Sequence, residues 1–242
     1  MTVLFLFPKK RIDLDAFTTR SEVLKYTPIQ KASFYSPDWF KKLPGPNELI
    51  NKNKGVIPPL LSMKTCNGLT DYFSQGFIMP LWSDVNFQVN EEGVRYQFAD
   101  CCSVCEFHSP KQYEGYIRNN THQHVKMMPP WHLLCDSNVN FLFSKVDWYF
   151  DELKKIYIPS GVLNFKHNSF PAINMFLPKS TSIISLKYGQ PLIHLIPLTD
   201  KRVKLNTHLV SQSEYDKIFY KTRPCAFHSS LQKRTKLHDA QI

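Results

Sequence analysis

Glycine is scarce in this sequence, and the glycine-rich motifs that cradle nucleotide phosphates are missing. Only 8 of the 242 residues are Gly, and the sequence contains no P-loop, GxGxxG fingerprint or GxSxG nucleophile elbow. These motifs need glycine because their backbone must approach a phosphate closely or turn sharply. The sequence therefore gives no support for a P-loop NTPase, a Rossmann-type dehydrogenase or a hydrolase built on a nucleophile elbow.

Long apolar runs are missing as well. The apolar stretch at residues 3–7 has no basic region before it, so it predicts a strand and not a secretory signal. No run approaches the ~20 apolar residues of a membrane-spanning helix, and we expect no membrane insertion. Six cysteines in a chain without a recognisable signal peptide favour free thiols in a reducing compartment.

Acidic side chains are outnumbered by basic ones. The chain carries 20 Asp and Glu against 30 Lys and Arg, for a net charge of +10. Such an excess favours an anionic partner, whether nucleic acid, nucleotide phosphates, a membrane surface or an acidic protein. The clearest local excesses lie at residues 201–204 and near the end of the chain, where residues 221–242 predict a basic tail. A solvated surface and a loose tail are the other interpretation of these charges, and the one that the pattern favours.

β-Forming residues and prolines are plentiful. Phe, Tyr, Ile, Val and Thr are common, and 17 Pro interrupt both long helices and β-ladders. We therefore predict a mainly β fold over residues 1–220, a single β-sandwich-like domain of short antiparallel strands with a few short helices. Residues 14–60 predict an irregular arm that wraps the surface and is pinned to the core by Trp39 and Phe40.

Local patterns predict several elements within this domain. Residues 67–74 predict a short helix, and the alternation at 85–89 predicts a half-buried strand that forms a hairpin with residues 94–107. Residues 200–206 predict a loop. Ser211 or Ser213 is then expected to cap a final helix that runs to residue 220.

Residues 101–108 hold the most concentrated set of metal-ligand side chains. Cys102 and Cys105 have the CxxC spacing of zinc sites, and His108 follows three residues later. The surrounding residues predict an extended strand, in which Cys102 and Cys105 point to opposite faces. The pattern leaves two interpretations open, a zinc site or buried and half-buried thiols.

A second candidate is the HxH motif of His122 and His124. On a strand both imidazoles lie on one face, as in cupin-type metal sites. That pattern also requires a glutamate a few residues on, where this sequence has Met128. His132 or His167 is available as a third ligand, although no spacing selects either. A metal-dependent oxygenase or isomerase and a plain polar loop are both compatible with the motif.

The C-terminal half resembles the closing part of the dUTPase and dCTP-deaminase superfamily. The likeness rests on residues 161–164 and on residues 182–196. Residues 183–198 predict a central hairpin that turns at Gly189, Gln190 and Pro191. It implies a β-clip type of β fold. The resemblance also implies a nucleotide-hydrolysing site at the corresponding positions.

Those positions are altered in this chain. Asn164 stands where the resemblance places the acid that activates water, and an amide cannot act as a general base. Phe165 and His167 are the nearest substitutes for the tyrosine that stacks on deoxyribose. His194 stands where the hairpin has glutamine, and we expect it to be a hydrogen-bonded core residue. The resemblance therefore supports a β-clip fold more strongly than it supports nucleotide hydrolysis.

Over most of its length the chain is similar to an uncharacterised family of phage and viral proteins. The matching stretches are residues 39–44, 65–82, 130–131, 139–143 and 189–191. This resemblance implies a viral origin, a location in the host cytoplasm or the virion, and no known activity.

Together these observations predict a non-enzymatic phage protein, either a virion component or a protein-binding module that acts through its arm and basic tail. Its partner would be a viral or host protein, or a second copy of the chain. No catalytic residues are predicted and no cofactor is required, although five side chains remain candidate zinc or iron ligands: Cys102, Cys105, His108, His122 and His124. The alternative is a nucleotide- or metal-dependent enzyme on a dUTPase-like or cupin-like β fold.

Overall fold

β-Strands dominate the computed structural model, which describes residues 11–45, 62–116, 121–149, 151–180 and 183–221. The strands are β1 (Ile12–Thr18), β2 (Gln30–Lys31), β3 (Phe77–Pro80), β4 (Val85–Val89), β5 (Val94–Phe98), β6 (Cys105–Glu106), β7 (His122–Met127), β8 (His132–Leu134), β9 (Asn140–Lys145), β10 (Gly161–Asn164), β11 (Ile173–Pro178), β12 (Ile183–Leu186), β13 (Pro191–Pro197) and β14 (Val203–Leu209). The helices are α1 (Ser21–Tyr26), α2 (Asp38–Lys42), α3 (Asn67–Ser74), α4 (Asp151–Lys154) and α5 (Gln212–Lys221).

These strands form four small sheets around one apolar core. The strand orders are β14-β1-β8, β10-β9-β13-β3-β2, β11-β7-β6 and β12-β4-β5. Among the described strands, β1 and β14 pair in parallel and the other neighbours pair antiparallel. Residues from all four sheets, such as Leu14, Phe87, Met127 and Phe141, are fully buried in the same apolar cluster. This sandwich-like arrangement confirms the predicted mainly β fold.

The start of the chain is more regular than the predicted arm. Ile12, Leu14, Ala16 and Thr18 are buried while the residues between them are more exposed, so β1 has the two-residue period of a half-buried strand. It pairs with β14 along its whole length, from Ile12 with Val203 to Thr18 with Leu209. The prediction that the irregular arm begins at residue 14 is therefore wrong. The predicted loop at 200–206 is also wrong from residue 203 onward.

Aromatic packing attaches the following segment to the core, as predicted. The Phe40 ring lies 4.7 Å from the Phe73 ring of α3, and Phe40 is buried. Trp39 lies 6.1 Å from Trp148, and its indole N–H donates to the Trp148 carbonyl oxygen at 3.0 Å. The helix predicted at 67–74 is confirmed as α3. Residues 46–60 of the predicted arm lie outside the described residues.

The predicted central hairpin at 183–198 is wrong in its pairing. Both strands form, but β12 pairs with β4, whereas β13 pairs with β3 and β9. Leu81, which follows β3, holds the turn between β12 and β13. The Gly189 N–H donates to the Leu81 carbonyl and the Leu81 N–H donates to the Gln190 carbonyl, each at 2.8 Å. The turn therefore directs the chain from one sheet into another.

Two other predictions concern the ends of local elements. The hairpin of β4 and β5 is confirmed up to Phe98, after which the chain leaves the sheet and β6 pairs with β7. Ser211 caps α5 as predicted: its hydroxyl accepts from the Glu214 N–H at 3.3 Å, and the Glu214 carboxylate accepts from the Ser211 N–H at 3.0 Å. This reciprocal pair is a capping box.

Two further predicted segments, the strand at 3–7 and tail residues 222–242, lie outside the described residues. None of the described helices is both long and apolar enough to cross a membrane.

Gly76 is the residue that lets α3 lead into β3, and this gives a first prediction. It adopts a φ of +75°, and a Cβ at this position would overlap the Leu195 carbonyl oxygen of β13. Gly76→Ala should therefore lower the free energy of unfolding by about 3 kcal/mol, because backbone strain and a steric clash add. Urea denaturation measures the change. Gly93→Ala is the matched control, since a Cβ added there would have no atom within 4 Å; equal stability of the two variants would contradict the prediction.

Candidate functional site

The CxxC pair predicted as zinc ligands is split between two environments. Cys102 is exposed in a turn after β5, whereas Cys105 is buried at the start of β6, where burial raises its thiol pKa to about 12. The extended strand predicted through residues 101–104 is wrong, because Asp100 caps a turn there: its carboxylate accepts from the Cys102 N–H at 2.8 Å and the Ser103 N–H at 2.6 Å. Among the described residues, no group of three or more His, Cys, Asp or Glu is placed to hold a metal ion.

The structure brings two of the predicted histidine ligands into contact. His108 stacks on His124 of β7 with ring centroids 4.8 Å apart, while His122 occupies the strand position two residues earlier and its ring contacts the Thr121 hydroxyl. The His124 ring also packs 4.9 Å from Phe176 and hydrogen-bonds Asn174 at 3.2 Å. Burial, and next the neighbouring His108, lower the pKa of His124. The geometry is that of an aromatic packing cluster.

The residues implied by the dUTPase resemblance have structural partners. The Asn164 amide donates to the side-chain oxygens of Asn138 and Asn140, at 2.8 and 3.0 Å, and its oxygen accepts from the Lys166 N–H. Phe165 is fully buried, so it offers no surface for stacking on a sugar. His194 is buried and its Nε2 bonds the Gln75 carbonyl oxygen at 2.7 Å, as expected of a core histidine.

A cavity of about 440 Å³ lies beneath α5. It is lined by Thr19, Arg20, Cys102, Ser103, Val104, Met128, Pro129, Pro130, His132, Phe170, Gln212, Tyr215, Asp216 and Phe219. Its Arg20 guanidinium is already occupied by Glu22 at 2.7 Å, Ser103 at 3.1 Å and Asp100 at 3.3 Å. The buried His132 bonds the Ser169 hydroxyl at 3.0 Å and packs against Tyr215. These polar groups hold the walls together and leave little charge for a ligand.

A cleft between two sheet edges is the stronger candidate. We call it the basic cleft; it measures about 510 Å³, within the size range of ligand sites. It is lined by Arg11, Ile29, Gln30, Lys31, Phe34, Phe77, Arg202, Val203, Lys204, Leu205 and Thr207. The two edges are β14, which ends one sheet, and β2, which ends the five-stranded sheet.

The charge of the basic cleft is one-sided. Four cationic side chains and no carboxylate line it. Arg11 is paired with Asp13 at 2.7 Å, and this hydrogen bond lowers the pKa of the Asp13 carboxyl. Lys31, Arg202 and Lys204 are exposed and have no ion-pair partner among the described residues. The unpaired charges make the basic cleft a suitable place for an anionic ligand.

The main chain of β14 offers hydrogen bonds along the basic cleft. The Arg202 carbonyl accepts from the Ile12 N–H, and the Val210 N–H donates to the Thr18 carbonyl, so even-numbered residues of β14 face β1. Main-chain groups of successive strand residues point to alternate sides. Those of Val203, Leu205 and Thr207 therefore point away from β1, and no described strand pairs with them. We call this row the free edge of β14.

The floor of the basic cleft is apolar. Ile29 and Phe77 are buried beneath it, while Phe34 stands at its rim with 70% of its surface exposed. An exposed aromatic ring beside unpaired cations is a feature of binding surfaces, because the ring supplies contact area at a low entropic cost. The basic cleft therefore combines apolar contact, positive charge and main-chain hydrogen bonds.

No protein-family model matches the chain, and no curated protein matches its sequence. The candidate site is therefore interpreted from its geometry.

Sequence reasoning found only part of this site. The basic run at 201–204 was visible as a local charge excess, and it supplies Arg202 and Lys204. Nothing in the sequence around Lys31 and Phe34 marks them as site residues. They lie beside β14 only because residues far apart in the chain come into contact in the fold. The alternation of apolar Val203 and Leu205 with polar Lys204 and Asn206, which is the two-residue period of a strand, was the signal available in the sequence.

Because His132 is buried, we expect the stability of the folded protein to decrease in acid. Burial lowers its pKa to about 4, against 6.5 for an exposed histidine, so between these values the unfolded chain binds a proton that the folded chain does not. Stability should fall as pH drops from 6.5 to 4, by about 3 kcal/mol from this residue. In His132→Phe, Tm measured from pH 7.5 to 4.5 should decline less steeply than in the wild type. Parallel curves would show that His132 does not control the acid response.

Proposed function

We propose that this protein is a non-enzymatic binding module that takes an extended, acidic segment of a partner protein into the basic cleft. The observation that carries the proposal is the free edge of β14, which lines a positively charged cleft with unpaired main-chain groups. An unpaired strand edge accepts a peptide strand by β-augmentation, in which main-chain hydrogen bonds supply affinity and side-chain contacts supply specificity.

The charges in the cleft define the partner's chemistry. Lys31 on β2 and Lys204 on β14 lie on its two edges, so carboxylates of a bound strand meet cations on either side. In an extended peptide, alternate side chains point to opposite faces. A segment that alternates acidic and apolar residues would direct its apolar side chains toward Ile29 and Phe77 and leave its carboxylates near the lysines.

The free edge favours a peptide over nucleic acid. A nucleic acid strand would satisfy the cations and stack on Phe34, but it has no regular row of main-chain amides to pair with Val203, Leu205 and Thr207. A peptide strand uses all three features of the basic cleft. The contribution of Lys31 and Phe34 also agrees with the expectation that the arm carries contacts to a partner.

The viral origin implied by sequence resemblance extends the proposal to a virion or host partner. If the protein is a virion component, quantitative mass spectrometry of purified particles should find it in a fixed ratio to the major structural proteins. Absence from the particles would restrict the proposal to a binding module that acts inside the host cell.

Charge reversal in the basic cleft tests the proposed ligand. The probe is a fluorescent peptide of alternating Glu and Val, with binding followed by fluorescence anisotropy at low salt. Arg202→Glu with Lys204→Glu should weaken binding at least about tenfold, because two attractions become repulsions. Lys111→Glu is the control, since Lys111 is exposed and lies outside the cleft.

A Lys–Val peptide and a poly-dT oligonucleotide serve as comparison probes. Stronger binding of either one than of the Glu–Val peptide would overturn the acidic-peptide proposal.

The Thr207 N–H provides a separate test of strand pairing. Thr207→Pro removes a donor that points into the basic cleft and leaves the bonds between β14 and β1 in place, since proline is tolerated at an open sheet edge. Peptide affinity should fall about tenfold while the circular dichroism spectrum is retained. Thr207→Val keeps the N–H and should bind like the wild type. Equal binding by the proline variant would exclude β-augmentation along β14.

A further inference from the structure

The adjacent cysteines Cys101 and Cys102 form a pair of exposed thiols in the turn between β5 and β6. Their sulfur atoms lie 3.7 Å apart. The turn is not part of the basic cleft, and Cys102 borders the separate cavity beneath α5. The two thiols therefore present a local feature that the proposed peptide-binding function does not use.

The conformation of this turn is fixed by buried and charge-assisted hydrogen bonds. The Asp100 carboxylate accepts from the main-chain N–H groups of Cys102 and Ser103 and from the Ser103 hydroxyl, at 2.6 to 2.8 Å. Burial raises the pKa of Asp100, but the hydrogen bonds, above all those from Ser103 and Ser83, outweigh it and hold the pKa at about 2. The Arg20 guanidinium lies 3.3 Å from the same carboxylate.

Ser103 attaches the turn to the core. Its hydroxyl oxygen also accepts from the buried Trp82 indole N–H at 2.8 Å. The Cys102 main chain is thus held by a carboxylate that remains ionised at neutral pH, and the next residue, Ser103, is anchored to a core aromatic residue. A main chain held in this way limits the conformational freedom that Cys102 loses when its thiol binds an ion.

The distance between the two sulfur atoms suits a single metal ion that both thiolates bind. Two sulfurs bonded at 2.3 Å to a tetrahedral zinc ion lie about 3.8 Å apart. A direct disulfide fits less well, because consecutive Cα atoms are about 3.8 Å apart and disulfides span about 4.4–6.8 Å between Cα atoms. Binding a thiophilic ion therefore requires less rearrangement of the turn than forming a disulfide between the two cysteines.

We propose that Cys101 and Cys102 form a bidentate binding site for a thiophilic divalent ion of the zinc type. Each thiol loses a proton as its sulfur bonds the ion, so one M²⁺ and two thiols give one M(SR)₂ unit and two H⁺. Water or a bound partner fills the other positions of the ion. Binding releases protons, so the affinity increases with pH.

This site differs from the one predicted from the CxxC spacing. Cys105 is buried with its thiol pKa raised to about 12, so it is a poor partner for Cys102. The ligand set proposed here uses Cys101, which the spacing did not select. Cys66 is exposed and serves as an isolated thiol for comparison.

Cadmium titration tests the site directly. Cd²⁺ is a spectroscopic substitute for zinc, and its thiolate bonds give an ultraviolet charge-transfer band. Cys225 lies outside the described residues and is replaced by serine in every sample. The full-length protein should bind one Cd²⁺ at this site, and Cys101→Ser and Cys102→Ser should each weaken binding at least tenfold. Cys66→Ser should bind as the parent protein does.

Several outcomes would contradict the proposed metal site. Equal Cd²⁺ affinity in the parent and in both single variants would show that the pair is not the ligand, and loss of binding in Cys66→Ser would place the ion elsewhere. An affinity that does not rise between pH 6 and 8 would contradict proton release by two thiols. Peptide binding in the basic cleft should be unchanged in all three variants, so failure of one proposal is distinguishable from failure of the other.

Discussion

The parallel pairing of β1 with β14 is the constraint on which the rest of the structure depends. It joins the two ends of the described chain over seven register pairs, from Ile12 with Val203 to Thr18 with Leu209. On its outer face Asn206 donates to Asp13 and Asp15 at 3.2 and 3.1 Å, and His208 contacts Asp15 at 2.8 Å. Because β14 is fixed on one side only, its other side becomes an open edge, and the basic cleft exists as a result.

Most polar side chains in the interior hold turns and strand ends in place. His194 bonds a main-chain carbonyl before Gly76, Asn164 links two neighbouring asparagines, and Ser103 joins Trp82 to the Asp100 turn. A catalytic group needs a lone pair or proton that the substrate can reach. The atoms that form these bonds are engaged within the fold, so they stabilise its turns and strand ends.

Local patterns in the sequence predicted local structure well and long-range structure poorly. The helix at 67–74, the hairpin that begins with β4 and the Ser211 cap depend on neighbours within a few residues, and the structure has all three. The hairpin predicted at 183–198 failed because Leu81, about a hundred residues away, holds its turn and separates the strands. The basic cleft was predicted only in part for the same reason, since Lys31 and Lys204 line one cleft only after β1 and β14 have paired.

The structure shows which of the cations behind the net charge of +10 are paired with carboxylates. Along the sequence the positive charge looks dispersed, and a solvated surface explains it. In the structure Arg11 is paired with Asp13, Arg20 with Glu22 and Asp100, and Lys126 with Glu106, so many cations are offset. Among the described residues, Lys31, Arg202 and Lys204 remain without ion-pair partners at a cleft where a strand edge is also open. The coincidence of cations that have no ion-pair partner with unpaired main chain, more than the total charge, supports the proposed acidic peptide.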